Sequence, residues 1–209
     1  MKTARFITLE GGEGVGKTTN LRFVGDFLRQ RGIPVLTTRE PGGTALGEAV
    51  RGMLLGHGRM TPQTELLLVF AARAQHLGEV IEPALTAGTW VVCDRFTDAS
   101  FAYQGGGRGL PREFIAALEE YVQGARRPDL TLLLDAPIEL GMERARGRNS
   151  ADRFEAEESA FFVRVREAYL QQAEAEPERI RRVDASRSVE RVQADIEHHL
   201  TRLLEKISP

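Results

Sequence analysis

The run Gly11-Gly12-Glu13-Gly14-Val15-Gly16-Lys17-Thr18 fits the phosphate-binding pattern G-x-x-x-x-G-K-[ST]. Glycines let a backbone turn tightly with its N–H groups converging inward. A helix N-terminus adds partial positive charge, so such a loop becomes a nest for a di- or triphosphate. Lys17 is placed to reach the terminal phosphates, and the Thr18 hydroxyl to ligate Mg²⁺. The pattern constrains few positions, so its flanks decide its weight. Phe6-Ile7-Thr8-Leu9 reads as a short buried strand before it, and Asn20 to Arg31 carries Leu21, Val24, Phe27 and Leu28 at helical spacing after it.

Other residues define what faces the loop. The apolar run Val91-Val92-Cys93 ends in Asp94, which fits the second carboxylate linked to the metal; Leu132-Leu133-Leu134-Asp135 is the rival. Arg95 follows Asp94 at once and favours the first. Arg39 and Arg95 both lie just past a strand end, and two arginines near a triphosphate loop imply a second anion, an acceptor that is itself a phosphate. Such an acceptor is already ionised at neutral pH and needs charge neutralisation more than a general base. His57, His76, His198 and His199 are scattered and read as structural or solvated.

Arg144, Arg146, Arg148 and Arg153 crowd a stretch with Gly147, Asn149 and Ser150. This reads either as a lid over about 147–154 that closes on the phosphates and excludes water, or as a solvated basic turn. Phe70 and Arg73 share a helix face at i, i+3, so an aromatic ring and a guanidinium could read a pyrimidine, or Phe70 could be core. Tyr103-Gln104-Gly105-Gly106-Gly107-Arg108-Gly109 resembles a second glycine loop or a turn.

The elements that must position these groups alternate. Expected strands are Ala4 to Leu9, Val35 to Thr38, Trp90 to Cys93, Leu130 to Leu134 and Ile180 to Val183. Expected helices are Thr18 to Arg31, Ala45 to Leu55, Gln63 to Ala87, Arg112 to Gln123, Ile138 to Arg146, Glu155 to Ala175 and Val189 to Lys206. This order predicts an α/β protein with a five-stranded parallel sheet between helical layers, in one domain over 1–209. Ligands of such sheets gather beyond the strands' carboxyl ends, where the polar and glycine clusters of this sequence fall.

Net charge is −2 at neutral pH, which gives no global pull toward nucleic acid or an anionic membrane. Of 28 basic residues three are lysines, and Lys17 alone of these lies away from the termini. A single cysteine, Cys93, excludes an internal disulfide, and no leader or membrane-spanning run is evident, so a cytosolic protein is expected.

Taken together, six stretches spanning most of the chain resemble the bacterial thymidylate kinases. They are Glu10-Gly11 to Thr18, Thr38-Arg39-Glu40-Pro41-Gly42-Gly43-Thr44, Phe70-Ala71-Ala72-Arg73, Asp94-Arg95-Phe96, Tyr103-Gln104-Gly105-Gly106-Gly107 and Arg127-Pro128-Asp129-Leu130-Thr131. The resemblance implies a three-layer α/β/α P-loop fold of the nucleoside monophosphate kinase type, transfer of the γ-phosphoryl of MgATP to dTMP, and a homodimer. Carried over, ATP is held by Gly11, Gly12, Glu13, Gly14, Val15, Gly16, Lys17, Thr18 and Thr19. Phe70 lies against thymine with Arg73 on its O4, Ser100 and Gln104 meet polar edges of the base, and Tyr103 crowds the ribose 2′ carbon. Arg39 and Arg95 hold the acceptor phosphate and Glu13 approaches the sugar 3′-OH. The phosphate loop has no arginine at its variable positions, which resembles the subtype whose lid supplies the catalytic cation, Arg153 or Arg148. Phe96 stands where many relatives have Tyr, and Asp184-Ala185-Ser186 falls where related kinases hold adenine.

A P-loop kinase for another nucleotide is the nearest alternative, and a nonenzymatic nucleotide-binding module is another. A GTP-binding switch would carry an N-K-x-D motif and a D-x-x-G after the third strand, and neither occurs.

Overall fold

Three of the expected strands, those at 6–10, 90–94 and 130–135, are apolar enough to be covered on both faces, and the chain supplies helices for both. In the computed structural model, which describes residues 4–56, 59–146 and 157–206, the strands are β1 (Phe6–Glu10), β2 (Val35–Arg39), β3 (Trp90–Asp94), β4 (Leu130–Asp135) and β5 (Ile180–Asp184). They form one all-parallel sheet in the order β2-β3-β1-β4-β5. Every strand ends one residue later than expected. The terminal residues Glu10, Arg39, Asp94, Asp135 and Asp184 are polar, yet they continue the strand because the ladder is a backbone property. Thus the register that pairs Leu9 with Asp94 and Asp94 with Arg39 brings three strand ends to one level.

Alternate side chains along the strands build the two layers. Ile7, Leu9, Val92, Leu132, Leu134 and Val183 pack in one core with α1 (Lys17–Gln30) and α9 (Val189–Glu205), which contribute Val24, Phe27 and Leu28, and Val192, Ile196 and Leu200. On the other face Phe6, Val91 and Cys93 meet Leu77 and Ile81, and Leu133 and Ile180 meet α8 (Ser159–Ala175). A fully buried Leu or Phe here contributes about 1.5–3 kcal/mol. Among the described residues, no helix is long and apolar enough to cross a membrane.

Two helical expectations change. The periodicity over 63–87 predicts one helix, but α3 (Pro62–His76) widens into a π-helical segment at Leu77–Ile81 before α4 (Glu82–Thr86). Pro83 has no N–H with which to continue the i to i−4 ladder, and the wide turn stands just ahead of it. The second change concerns 103–107. The stretch is no glycine loop: α5 (Thr97–Ser100) runs directly into a π-helical segment, Phe101–Gly107. Its glycines answer to packing rather than to turning. A Cβ at Gly106 would stand 2.8 Å from the Arg164 carbonyl oxygen, and one at Gly107 2.5 Å from the Phe161 ring, so α8 approaches this close only where no side chain intervenes.

The remaining helices are α2 (Ala45–Leu55), α6 (Arg112–Gln123) and α7 (Ile138–Arg146). Thr44 caps α2 by accepting the Gly47 N–H at 2.9 Å. The expected helix from Glu155 is described from Ser159. The lid stretch 147–154, with Arg148 and Arg153, lies outside the described residues, as does His57.

Candidate active site

The phosphate loop joins β1, the middle strand of the sheet, to α1. Gly14 has φ 69°, and a Cβ there would lie 1.9 Å from the Gly141 carbonyl oxygen of α7. In turn, a Cβ at Gly141 would lie 2.5 Å from the Glu13 oxygen, so the loop is pressed backbone to backbone against α7. Lys17 is buried and donates to the Gly11 and Gly12 carbonyls at 3.2 and 2.6 Å. Burial, then the neighbouring Arg95 guanidinium, push its ammonium below the ordinary lysine value. An anion in the loop would oppose both effects. Thr18 and Thr19 are exposed on the first turn of α1.

The two aspartates considered from sequence differ in their surroundings. Asp135 is gripped by Arg166, at 2.7 and 3.0 Å, and by Arg182, at 3.1 and 2.7 Å. Asp94 ends β3 with a buried Oδ1 that has no hydrogen-bond partner among the described residues. An orphaned carboxylate oxygen suits a cation, and Mg²⁺ binds through one or two carboxylates plus phosphate and water. Thr18 and Asp94 therefore fit the metal, whereas Asp135 is committed to two guanidinium groups.

Arg95 has φ 69°, a left-handed backbone that a non-glycine residue rarely adopts, and its N–H donates to the Leu9 carbonyl at 2.9 Å. This turn sends the guanidinium back over the phosphate loop. Its Nη2 meets Glu13 Oε1 at 2.5 Å, the Tyr103 hydroxyl donates to the same oxygen at 2.8 Å, and the guanidinium carbon lies 4.6 Å from the Tyr103 ring centroid. Glu13, Arg95 and Tyr103, separated widely in sequence, thus converge. Arg39 instead bonds Glu48 at 2.9 Å on an exposed part of α2.

Around α3 a buried cluster of polar groups is assembled. Arg73 is fully buried. It donates from Nε to Glu40 Oε2 (2.8 Å), from Nη1 to Ser100 Oγ (3.1 Å) and from Nη2 to the Phe96 carbonyl (3.1 Å). Its guanidinium carbon lies 4.7 Å from the Phe70 ring centroid. Phe70 is buried with Leu66, Phe101 and Ile115, so the core reading and the shared face with Arg73 hold at once. Gln104 donates to Glu65 Oε1 at 2.9 Å.

Several residues near the site have partners that the sequence does not indicate. Glu40 lies within a quoted stretch, but its partners come from 33 and 36 residues away: Arg73, and His76 at 3.0 Å, whose other ring nitrogen meets Thr38 Oγ1 at 2.7 Å. Arg51 of α2 donates to the Pro41 carbonyl at 3.1 Å; burial and then Arg39 lower its pKa, with Arg95 further contributing. It is a third guanidinium beside the two expected ones, with nothing in its spacing to announce it. Glu10, buried at the end of β1, accepts from the Phe96 N–H at 2.6 Å and the Tyr169 hydroxyl at 2.7 Å. Burial, and secondly Asp98, push it up to about 8. At the far side, Asp184 accepts from the Ser186 N–H and the Ala185 carbonyl accepts from Arg144 at 2.8 Å.

A family model described as thymidylate kinase matches residues 9–196. The thymidylate kinase of Methylococcus capsulatus is 59% identical over 204 residues, covering 98% of each chain. That of Pseudomonas syringae pv. tomato is 58% identical over 205 residues, covering 97% of this chain and 98% of the relative. Among solved structures, thymidylate kinase from Ehrlichia chaffeensis superposes with a TM-score of 0.78 at 30% identity, covering 95% of this chain and 98% of that one.

Proposed function

This chain belongs to the thymidylate kinase family, and we infer from that membership that it transfers the γ-phosphoryl group of ATP to dTMP, giving dTDP and ADP. An oxygen of the acceptor phosphate forms a bond to the γ-phosphorus as the bond from that phosphorus to the β,γ-bridging oxygen breaks. No proton has to be removed from the attacking oxygen. The work left to the protein is positioning and charge neutralisation.

We assign the donor phosphates to the loop Gly11 to Thr19 with Lys17 on the terminal groups, and the acceptor phosphate to Arg39 and Arg95, with Arg51 beside them. Thr18 and Asp94 are our candidates for holding Mg²⁺, directly or through water, and the ion would supply neutralisation of charge on the donor phosphates. Phe70 and Arg73 take the base, with Ser100 and Gln104 at its polar edges, Tyr103 beside the ribose, and Glu13 toward the 3′-OH. The cation supplied over the transferring group is Arg153 or Arg148, with 147–154 as a lid.

The observation that carries this reading is the bond from Arg95 to Glu13, which ties a candidate acceptor cation to the donor loop itself. Steady-state phosphorylation of dTMP, dUMP, dCMP and AMP with ATP tests it. Preference for dTMP is expected, and equal turnover of all four would overturn it.

We further propose one kinase domain over 1–209 that acts in the cytosol as a homodimer, with no nucleic-acid or membrane partner. Exposed apolar side chains support the dimer. They are Leu46 and Met53 on α2, Leu67 on α3, and Phe114 and Tyr121 on α6, three helices packed side by side.

A further inference from the structure

Among the described residues, two side-chain hydrogen bonds tie α3 to the segment 97–107, and they sit one turn apart on that segment. Arg73 reaches Ser100, and Glu65 receives the Gln104 amide. Glu65 is fully buried, in the first turn of α3, and Arg108 holds its carboxylate from the other side, with Nη2 at 3.0 Å from Oε2 and Nε at 3.2 Å from both oxygens. A carboxylate paired with a guanidinium can only accept hydrogen bonds. The Gln104 amide must therefore turn its NH₂ toward Glu65, which leaves its oxygen as the group offered to a ligand between the two elements.

That orientation has a chemical consequence for a pyrimidine. Thymine and uracil present a carbonyl O4 and an N3–H donor; cytosine presents an amino group and a bare N3 acceptor. Arg73, a pure donor, suits O4 and opposes the cytosine amino group. An outward amide oxygen suits N3–H and opposes the bare N3. If Gln104 were free to rotate its amide by a half turn, the second discrimination would vanish.

We propose that Glu65 is a specificity-determining positioning residue, which locks the Gln104 amide with its oxygen outward and so makes the site accept imide bases and reject aminopyrimidines. The proposal rests on the reading that the Phe70 and Arg73 slot holds the base of a nucleoside monophosphate. Discrimination by a buried polar group of fixed sense is large, because the wrong ligand leaves that group unpaired.

The test compares Glu65→Gln, Gln104→Met and the double variant with the unmodified enzyme, using kcat/KM for dTMP and dCMP and KM for ATP. For Glu65→Gln, the dTMP to dCMP ratio should fall by roughly tenfold or more with KM for ATP unchanged. The double variant should fall no further than Gln104→Met alone, since both act through one amide. Equal losses for dTMP and dCMP in Glu65→Gln, or independent losses that multiply in the double variant, would overturn the proposal. Should Glu65→Gln fail to fold, a crystal structure of the unmodified enzyme with dTMP decides. Gln104 Oε1 within about 3.2 Å of thymine N3 supports the proposal, and any other group facing N3 overturns it. If the unmodified enzyme does not prefer dTMP, the functional reading fails; if it does and the ratio is insensitive to Glu65, the positioning role alone fails.

Discussion

Arg95 Nη2 stands 2.5 Å from Glu13 Oε1, although one residue follows β3 and the other belongs to the loop after β1. The left-handed backbone at Arg95 makes the reach possible, since it returns the chain over the neighbouring strand end. The pair gives the guanidinium a fixed place beside the glycine-rich loop.

Arg95→Ala should lower kcat/KM for dTMP by about 10²–10³-fold, the range found when one preorganised donor to a developing charge is removed. Arg95→Lys should recover little, because an ammonium group lacks the planar fork. Lys17→Ala should nearly abolish turnover. Thermal melts within a few degrees of the unmodified protein must accompany both losses; a variant that loses activity by unfolding would not support the assignment.

Asp94 and Asp135 end apolar runs of the same kind on the two strands that flank β1, and their partners set them apart. Asp94→Asn should raise the Mg²⁺ concentration needed for half-maximal turnover, with little change in melting temperature. Asp135→Asn removes the charge shared by Arg166 and Arg182 and should cost about 1–3 kcal/mol of stability while leaving the Mg²⁺ dependence in place. Magnesium titrations of both variants beside urea melts separate the two roles, and the reverse pattern would assign the metal to Asp135.

Glu10 makes stability depend on pH. Burial first, and Asp98 second, raise its folded value to about 8, against an ordinary value of 4.5. The folded state then keeps a proton that the unfolded chain has released. Its contribution is fully present below about 4.5, declines between the two values and is gone above about 8. One proton accounts for a slope of at most about 1.4 kcal/mol per pH unit. Urea melts from pH 5 to 8.5 should show stability falling as pH rises, and Glu10→Gln should flatten that fall. An unchanged slope in the variant would remove Glu10 as its source.

How much of this was legible in the sequence follows from what a sequence records. The phosphate loop is contiguous, so its eight residues can be read directly, and the central strands β3, β1 and β4 are legible because both their faces are apolar, whereas the edge strands β2 and β5 carry Thr37, Thr38, Arg181 and Arg182. The strands run one residue beyond their sequence pattern because Glu10, Asp94 and Asp135 continue the ladder through the backbone while their side chains belong to other networks. The glycines at 105–107 looked like a turn, since their reason for being glycine lies on α8, some sixty residues away. Glu65 and Arg51 carry no local signal, and Glu40 and His76, though visible in sequence, have partners that only the fold brings together.

The exposed apolar face over α2, α3 and α6 leads to the last prediction. Phe114 and Tyr121 are seven residues apart on α6, as are Leu46 and Met53 on α2, so each pair shares one face of its helix. Phe114 is 64% exposed, Tyr121 88% and Leu67 56%. Neighbouring helices that each leave large apolar groups in solvent form the kind of patch that an isologous contact between two copies covers. Sedimentation velocity of the unmodified chain at micromolar concentration should give the mass of two copies. Leu67→Glu combined with Phe114→Glu should give one copy, because each charge would be buried twice over across a two-fold axis. A single-copy mass for the unmodified chain, or a dimer that survives both substitutions, would place the contact elsewhere or remove it.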